Sequence, residues 1–528
     1  MKPGAARLRM AIALLSGWLA AQSVTPGWLD GLWLGVLHIL ALGLLLAALD
    51  GVRQTRSGFG LGFLHGLAWF GSGIPWLYVS LHEHGQMHPV LAVMGVALLC
   101  AYLALFPALA AALIHRGRGL SCLTWPVWVA SAWTLAELLR GCLFTGFPWL
   151  HGGYAHPDSP LAGWAPIGGV SLVLWVAMLM AALVMQVLHP ARQRRSVTPL
   201  QPLLGLCAVL GLLGLSQLLQ TLRFSEPGGQ PMTVRLVQGN VPLSMKFDPS
   251  QVLAQMALHR QLALQGSETP DWVLMPETAI PVFPQQLPES EWAAWIETSR
   301  QLDRPLVLGA PVRRIEDGRV QHTNSVVRID PDDLPERLQN GEFRQRYDKV
   351  HLVPFGEFVP SGFRWFVDAM VMPLGDFDRG APGSGRFDLM GQRVAFNICY
   401  EDIFGAGLLP AIRGESGATV LANVSNLGWF GNTDALPQAL QMARMRTLET
   451  QRPMLRATNT GATAAIDAWG RITAKLPFAV PGVIDATVQG TTRLTPYTRV
   501  GDWPVWLLSL GTLFALSLRR HRRIAGLS

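Results

Sequence analysis

The sequence predicts a membrane-embedded bundle of about eight α-helices that carries one layered α/β domain. Three observations predict it. Only 15% of the 528 residues are charged while 50% are hydrophobic, and the mean hydropathy is +0.28, whereas a water-facing globular chain carries about 25% charged residues. The deficit is local, because residues 1–220 hold five acidic side chains (Asp30, Asp50, Glu83, Glu137, Asp158) and eleven basic ones, but residues 221–500 hold 29 acidic and 27 basic ones. In that second stretch, short branched runs alternate with helical periodicities, the pattern of a layered α/β domain.

Apolar stretches near 9–25, 28–49, 58–80, 89–114, 121–139, 163–188 and 199–220, with one more near 503–518, supply the spans. Most approach the roughly 20 residues a bilayer-crossing helix needs. The first also has the form of a signal peptide, with Lys2, Arg7 and Arg9 ahead of it and Ala20-Ala21-Gln22 after its core, and either form leaves the downstream topology unchanged. Lys2/Arg7/Arg9, Arg53/Arg56, Arg116/Arg118, Arg192/Arg194/Arg195 and Arg519/Arg520/Arg522/Arg523 fall at alternate ends of successive stretches. Short cytoplasmic loops carry the Lys/Arg excess, so both termini are expected in the cytoplasm and the α/β domain on the opposite side, in a bacterial inner membrane facing the periplasm. The expected division is a membrane domain over 1–220, a soluble domain over 221–500, and a last span with a basic tail over 501–528. Residues 141–164, rich in Gly, Pro and aromatics, read either as an interfacial loop or as a mouth shaping lipid access, and Glu137 is placed to pair with Arg140.

The net charge of +7 reflects this loop topology and gives no argument for nucleic-acid binding. Cys100, Cys122, Cys142 and Cys207 lie in apolar segments and Cys399 stands alone in the soluble part, so no disulfide framework is expected. No nucleotide loop, zinc-ligand spacing or repeat is present, and no cofactor or metal is expected.

Within the soluble part, MTVRLVQGNVP, DWVLMPETA, PLVLGAPVRR, HTNSVVRID, QRVAFNICYED and ATVLANVSN read as buried strands bounded by turn residues. Residues 246–266 and 435–450 carry helical spacing. Three reactive groups stand where such runs end: Glu277 after WVLMP, Lys349 in RYDKVHLVPFGE, and Cys399 after RVAFNI. Strand ends hold side chains rigidly at short range. A carboxylate near a thiol accepts its proton and returns it to a leaving group, while an ammonium stabilises the oxyanion formed on addition to a carbonyl. Taken singly, each has an ordinary explanation: a buried structural thiol, a helix N-terminal charge after Pro276, a surface lysine.

The segments GNVPLSMKF (239–247), MPETAIP (275–281), YDKVHLVPFGEFVP (347–360), FNICYEDIF (396–404) and NVSNLGWFGNT (423–433) resemble those of the apolipoprotein N-acyltransferases, membrane members of the nitrilase superfamily. The resemblance covers nearly the whole chain. It implies a membrane bundle of about eight spans with a nitrilase-like αββα sandwich, in which Glu277 is the general base, Lys349 the oxyanion stabiliser and Cys399 the acyl-carrying nucleophile. It further implies that Glu357 supports the lysine region, that Tyr400 and Glu401 flank the nucleophile, and that Trp429 lies on a loop suited to lipid chains. Phe247 occupies a position where the family often has tryptophan, so an indole N–H is absent there.

The activity implied is transfer of an acyl group from a membrane phospholipid, through a cysteine thioester, to the α-amine of a diacylglyceryl-cysteine lipoprotein by a monomeric enzyme. A membrane-tethered amidase is the enzymatic alternative, though one anchor would serve it. A transporter with a binding domain is the alternative of another class, and intramembrane acidic residues are few for that role.

Overall fold

Apolar runs without carboxylates become helices because only a helix satisfies every backbone N–H and C=O within one segment when no water is present. The computed structural model describes residues 3–188, 200–266, 268–316, 318–359, 362, 364, 376–414 and 416–524. Its helices α1 (Pro3–Ser23), α2 (Leu32–Leu49), α3 (Thr55–Gly73), α4 (Pro89–Arg116), α5 (Trp125–Arg140), α6 (Ala165–Leu188) and α7 (Leu200–Thr221), with Trp503–Ile524, occupy all the apolar stretches. Lys2 and the Arg192/Arg194/Arg195 cluster lie outside the described residues.

Two compact units emerge: residues 1–75, 93–223 and 500–528 form one, and residues 76–92 with 224–499 form the other. In the first, α3 and α4 approach closely through Gly62 and Gly66, where an added Cβ would fall 2.5 Å from the Pro107 carbonyl oxygen and 2.7 Å from Ala104 Cα. Small residues at such crossings replace the hydrophobic drive that lipid does not provide. Helix α7 instead exposes Leu203, Leu204, Leu206, Leu210, Leu215 and Leu218, an apolar face fitted to hydrocarbon rather than water. Glu137 and Arg140 are buried and paired at 2.6 Å.

Leu32–Leu49, Pro89–Arg116, Pro160–Leu188 and Pro202–Thr221 are the four segments among the described residues long and apolar enough to cross a bilayer. The other expected spans form helices that fall short of this measure. Helix α5 has 16 residues, α3 has 19 but interleaves glycine, Arg56 and His65 with its apolar residues, and α1 and Trp503–Ile524 carry arginines.

In the second unit the strands are β1 (Glu226–Pro227), β2 (Met232–Gln238), β3 (Trp272–Leu274), β4 (Leu306–Glu316), β5 (Arg319–Ile329), β6 (Arg346–Asp348), β7 (Arg386–Leu389), β8 (Gln392–Ile398), β9 (Val420–Ser425), β10 (Met454–Thr458), β11 (Ala464–Ile466), β12 (Ile472–Lys475), β13 (Gly482–Val488) and β14 (Thr491–Thr492). They build one sheet in the order β13-β2-β3-β4-β5-β6, a second in the order β12-β11-β10-β9-β8-β7, and the pair β1-β14. Both large sheets have parallel centres, β2-β3-β4 and β8-β9-β10.

Alternate residues decide the layers. Val234, Leu236, Trp272 and Val326 of the first sheet meet Phe387, Val394, Phe396 and Val424 of the second in one buried core. Val237, Val273, Leu306 and Leu308 point the other way, onto Trp292, Trp295 and Ile296 of helix Glu289–Leu302 and Met256 of helix Val252–Leu264. On the far side, helix Gly405–Ile412 packs on β8 and helix Ala435–Thr450 on the turn that follows β8. This is an αββα sandwich. The segment Trp76–Ala92, which reads from sequence as the end of one span and an outer loop, packs within this unit: Trp76 Nε1 donates to Gln438 Oε1 at 3.2 Å.

Candidate active site

Parallel central strands deliver their carboxyl ends to one edge of the sandwich, and four of the site's segments leave from there. Glu277 follows β3, Lys349 follows β6, Cys399 follows β8, and Asn426 follows β9. Cys399 has φ +53, a left-handed conformation that costs a non-glycine residue on the order of 1–3 kcal/mol. It sits at the sharp change from strand β8 to the short 3₁₀ helix Cys399–Ile403, with its side chain packed against the core between the sheets.

Lys349 is fully buried. Its Nζ donates to Glu357 Oε1 at 2.8 Å and lies 3.7 Å from Glu277 Oε1. Asn324, on β5, donates from one Nδ2 to Glu277 Oε1 and to Glu357 Oε1, each at 2.8 Å. Each carboxylate keeps its second oxygen on a backbone donor: the Asn426 N–H reaches Glu277 Oε2 at 2.9 Å, and the Val353 N–H reaches Glu357 Oε2 at 2.8 Å. One cation and one amide therefore hold two buried carboxylates at close range, the arrangement that makes a buried charge tolerable.

Burial works to lower the Lys349 pKa, but the charges of Glu357, Glu277 and Cys399 more than offset it, so the ammonium is held above the usual lysine range. The Cys399 thiol is pushed up to about 12 by burial first and by Glu277 second, against the opposing pull of Lys349 and of the nearby Ser425 hydroxyl. At neutral pH the sulfur is a thiol. Its proton must leave as it attacks, and Glu277 is the carboxylate whose charge acts on it most strongly.

Glu401 does not touch the lysine. Its Oε1 accepts the N–H groups of Val350 (2.8 Å) and His351 (2.9 Å), and its Oε2 accepts the Tyr347 hydroxyl and the Ile398 N–H, both at 2.7 Å. It ties the chain after Lys349 to the chain before Cys399. Of the two carboxylates that the resemblance sets beside the lysine region and the nucleophile, Glu357 thus binds the ammonium, whereas Glu401 braces the backbone. Tyr400 is buried, with its ring centroid 5.1 Å from Phe404 and 5.8 Å from His351.

Trp429 and Phe247 are half-buried with ring centroids 6.4 Å apart. His84 meets Trp429 edge-on at 6.0 Å, and Trp76 packs on Phe430 at 4.4 Å, so residues 76–92 brace the loop after β9. Sequence reasoning missed Asn324, Ser425 and Lys246. The last is fully buried with Nζ 3.1 Å from the Glu277 carbonyl oxygen. The polar TNS triplet inside the run HTNSVV was the available signal for Asn324; nothing local marks Lys246 as buried.

Residues 16–183 match the family described as apolipoprotein N-acyltransferase N-terminal domain, and residues 233–497 match that described as carbon-nitrogen hydrolase. An apolipoprotein N-acyltransferase of Bordetella bronchiseptica is 45% identical over 98% of this chain and 98% of its own. The chain belongs to the apolipoprotein N-acyltransferase family. Family members from Ralstonia nicotianae (44% identical, 99% of this chain, 95% of its own) and Pseudomonas aeruginosa (35%, 96% and 97%) match over similar lengths. A solved nitrilase-superfamily amidase of Nesterenkonia matches 53% of this chain and 97% of its own at 19% identity, with a TM-score of 0.37. The alignments with the apolipoprotein N-acyltransferases run through both units.

Proposed function

We propose that this chain transfers a fatty acyl group from a membrane phospholipid, by way of a thioester on Cys399, to the α-amine of the N-terminal diacylglyceryl-cysteine of an apolipoprotein. The observation that carries the reading is the convergence of Glu277, Lys349 and Cys399 at the strand ends of a sandwich belonging to a chain with membrane-length apolar helices. In the first step Glu277 takes the Sγ proton as sulfur adds to the ester carbonyl, and Lys349 faces the oxyanion. Collapse expels the glycerol oxygen, which receives the proton back from Glu277, and lysophospholipid departs. In the second step the amine adds to the thioester, Glu277 accepts its proton, and the sulfur leaves and takes that proton from Glu277 to become a thiol again.

A general base matters here because the thiol lies far above neutral pH, leaving almost no resting thiolate. Glu357 and Asn324 hold the lysine and the base in register, and the aromatic loop around Trp429 and Phe430 favours acyl chains over water. The full reading has eight spans, the sandwich over 221–500 on the periplasmic side of the inner membrane, and both termini in the cytoplasm. Alternation of the arginine clusters supports it. An outer-surface site suits two substrates that are both anchored in the bilayer.

The test supplies purified protein with acyl-labelled phospholipid and a diacylglyceryl-cysteine peptide. The expected product is peptide carrying the label as an amide, absent with Cys399→Ala. Label appearing only as free fatty acid would make the chain a hydrolase instead, and label reaching the peptide equally in the alanine variant would remove Cys399 from the reaction.

A further inference from the structure

A second lysine lies beneath the site. Lys246 closes the single helical turn Leu243–Lys246, has no exposed surface, and among the described residues its side chain makes one hydrogen bond, from Nζ to the main-chain oxygen of Glu277 at 3.1 Å. An amine buried with a single partner is expensive to keep. The peptide it holds is itself unusual. Thr278, the next residue, has φ +56, and Gly309 runs so close beneath that an added Cβ would lie 2.6 Å from Glu277 Cα. The base thus stands on a backbone in a left-handed turn, wedged against β4, with its carbonyl held by Lys246 and its carboxylate held by the Asn324 side chain and the Asn426 N–H.

We propose that Lys246 is a positioning residue for Glu277, clamping its peptide so that the carboxylate stays aimed at the nucleophile, and that its charge bears on proton transfer to that carboxylate. This rests on the reading of Glu277 as the general base. The charged and titratable groups around Lys246 are few: Glu277 from the loop after β3 and His259 from helix Val252–Leu264, with Lys349 and Glu357 beyond the carboxylate. Burial lowers the Lys246 pKa to about 7, with Glu277 opposing, while burial brings His259 and His351 down to about 4. Lys246 therefore changes charge near neutrality and the neighbouring histidines do not. The neutral amine still donates to the carbonyl, so the clamp survives while the cation beside the carboxylate disappears.

The experiment measures the single-turnover rate of acyl-enzyme formation with phospholipid from pH 5.5 to 8.5, about a unit and a half on either side of the Lys246 pKa. The intact chain should show a rate that rises through an inflection near pH 7. Lys246→Met, which keeps the stem and removes the donor, should be slower by about 10- to 100-fold, the range expected of a slightly misplaced base, with no inflection near neutrality and an unchanged half-saturating phospholipid concentration. Lys246→Arg should retain more of the rate than Lys246→Met.

A Lys246→Met chain that acylates at the unaltered rate, or keeps the inflection, overturns the proposal. If that variant does not fold, Lys246→Gln takes its place with the same loss of inflection required; if neither neutral variant folds, Lys246 serves folding and the proposal falls. Glu277→Gln separates the two readings. Full acylation in that variant defeats Glu277 as base, whereas abolished acylation there beside a normal Lys246→Met defeats the Lys246 inference alone.

Discussion

Replacing Glu401 by glutamine isolates the brace between the lysine segment and the nucleophile turn. The side chain keeps its size, but one oxygen that accepts two hydrogen bonds becomes an NH₂ group. If the amide nitrogen faces Val350 and His351, two backbone N–H groups lose their acceptor; if it faces Tyr347 and Ile398, the tyrosine hydroxyl can turn and accept, and only the Ile398 N–H is left unpaired. The second arrangement costs less. An orphaned buried donor costs about 1–3 kcal/mol and the lost charge assistance adds to that, while relief of the buried charge offsets part, so the net loss is about 2–4 kcal/mol. For a unit of this size that corresponds to a fall of roughly 5–10 °C in melting temperature. The chain after Lys349 is also released, and acyl-enzyme formation should slow by about tenfold or more. Thermal melting of the purified protein and single-turnover acylation read both effects. A Glu401→Gln chain that melts and acylates like the unaltered protein would refute the brace.

Further predictions concern the same cluster and its surroundings. Asn324→Ala removes the shared donor from Glu277 and Glu357; at about 1.5–3 kcal/mol per hydrogen bond to a charged group, it should destabilise the protein by several kcal/mol in chemical unfolding and lower the acylation rate. Trp429→Ala should leave the melting temperature nearly unchanged, because the ring is half-buried, but raise the half-saturating phospholipid concentration about five- to tenfold through lost apolar contact, as read by initial rates against lipid. The folded pKa of Lys246, about 7, lies below its ordinary 10.5, so between those values the unfolded chain binds the extra proton and stability rises with pH by about 1.4 kcal/mol per unit. That contribution is lost as pH falls through 7. Lys246→Met should flatten this part of a stability profile between pH 7.5 and 9, and an unchanged slope would contradict the assignment.

Much of the site was legible because strand-end chemistry leaves local marks. Glu277 and Cys399 each follow a short apolar run, and the parallel strands β3 and β8 necessarily deliver their ends to edges of their sheets; Lys349 follows the polar strand Arg346–Asp348 and was marked by the motif around it instead. The layered α/β character followed from the alternation of such runs with helical spacing, and the αββα sandwich from the resemblance of the five motifs. Asn324 was less visible, since its partners stand 47 and 33 residues away and a strand pattern records burial of apolar residues, not the pairing of polar ones. Lys246 was hidden for a related reason: its burial depends on the approach of the Glu277 loop and helix Val252–Leu264, neither encoded in SMKF. The place of Trp76–Ala92 was also obscured. The run through residue 80 reads as one apolar span, but Pro75 interrupts the helix after Gly73, and Trp76 then finds Gln438 and Phe430.

The most direct test of the central claim is to find the acyl group on the sulfur. Purified protein incubated with phospholipid alone, then analysed by intact mass and by peptide mapping, should gain one hydroxylamine-labile acyl mass on the peptide bearing Cys399, and lose it when a diacylglyceryl-cysteine peptide is added as that peptide becomes N-acylated. An acyl mass that never forms while the peptide is still acylated, or one that forms equally in Cys399→Ala, would contradict transfer through Cys399.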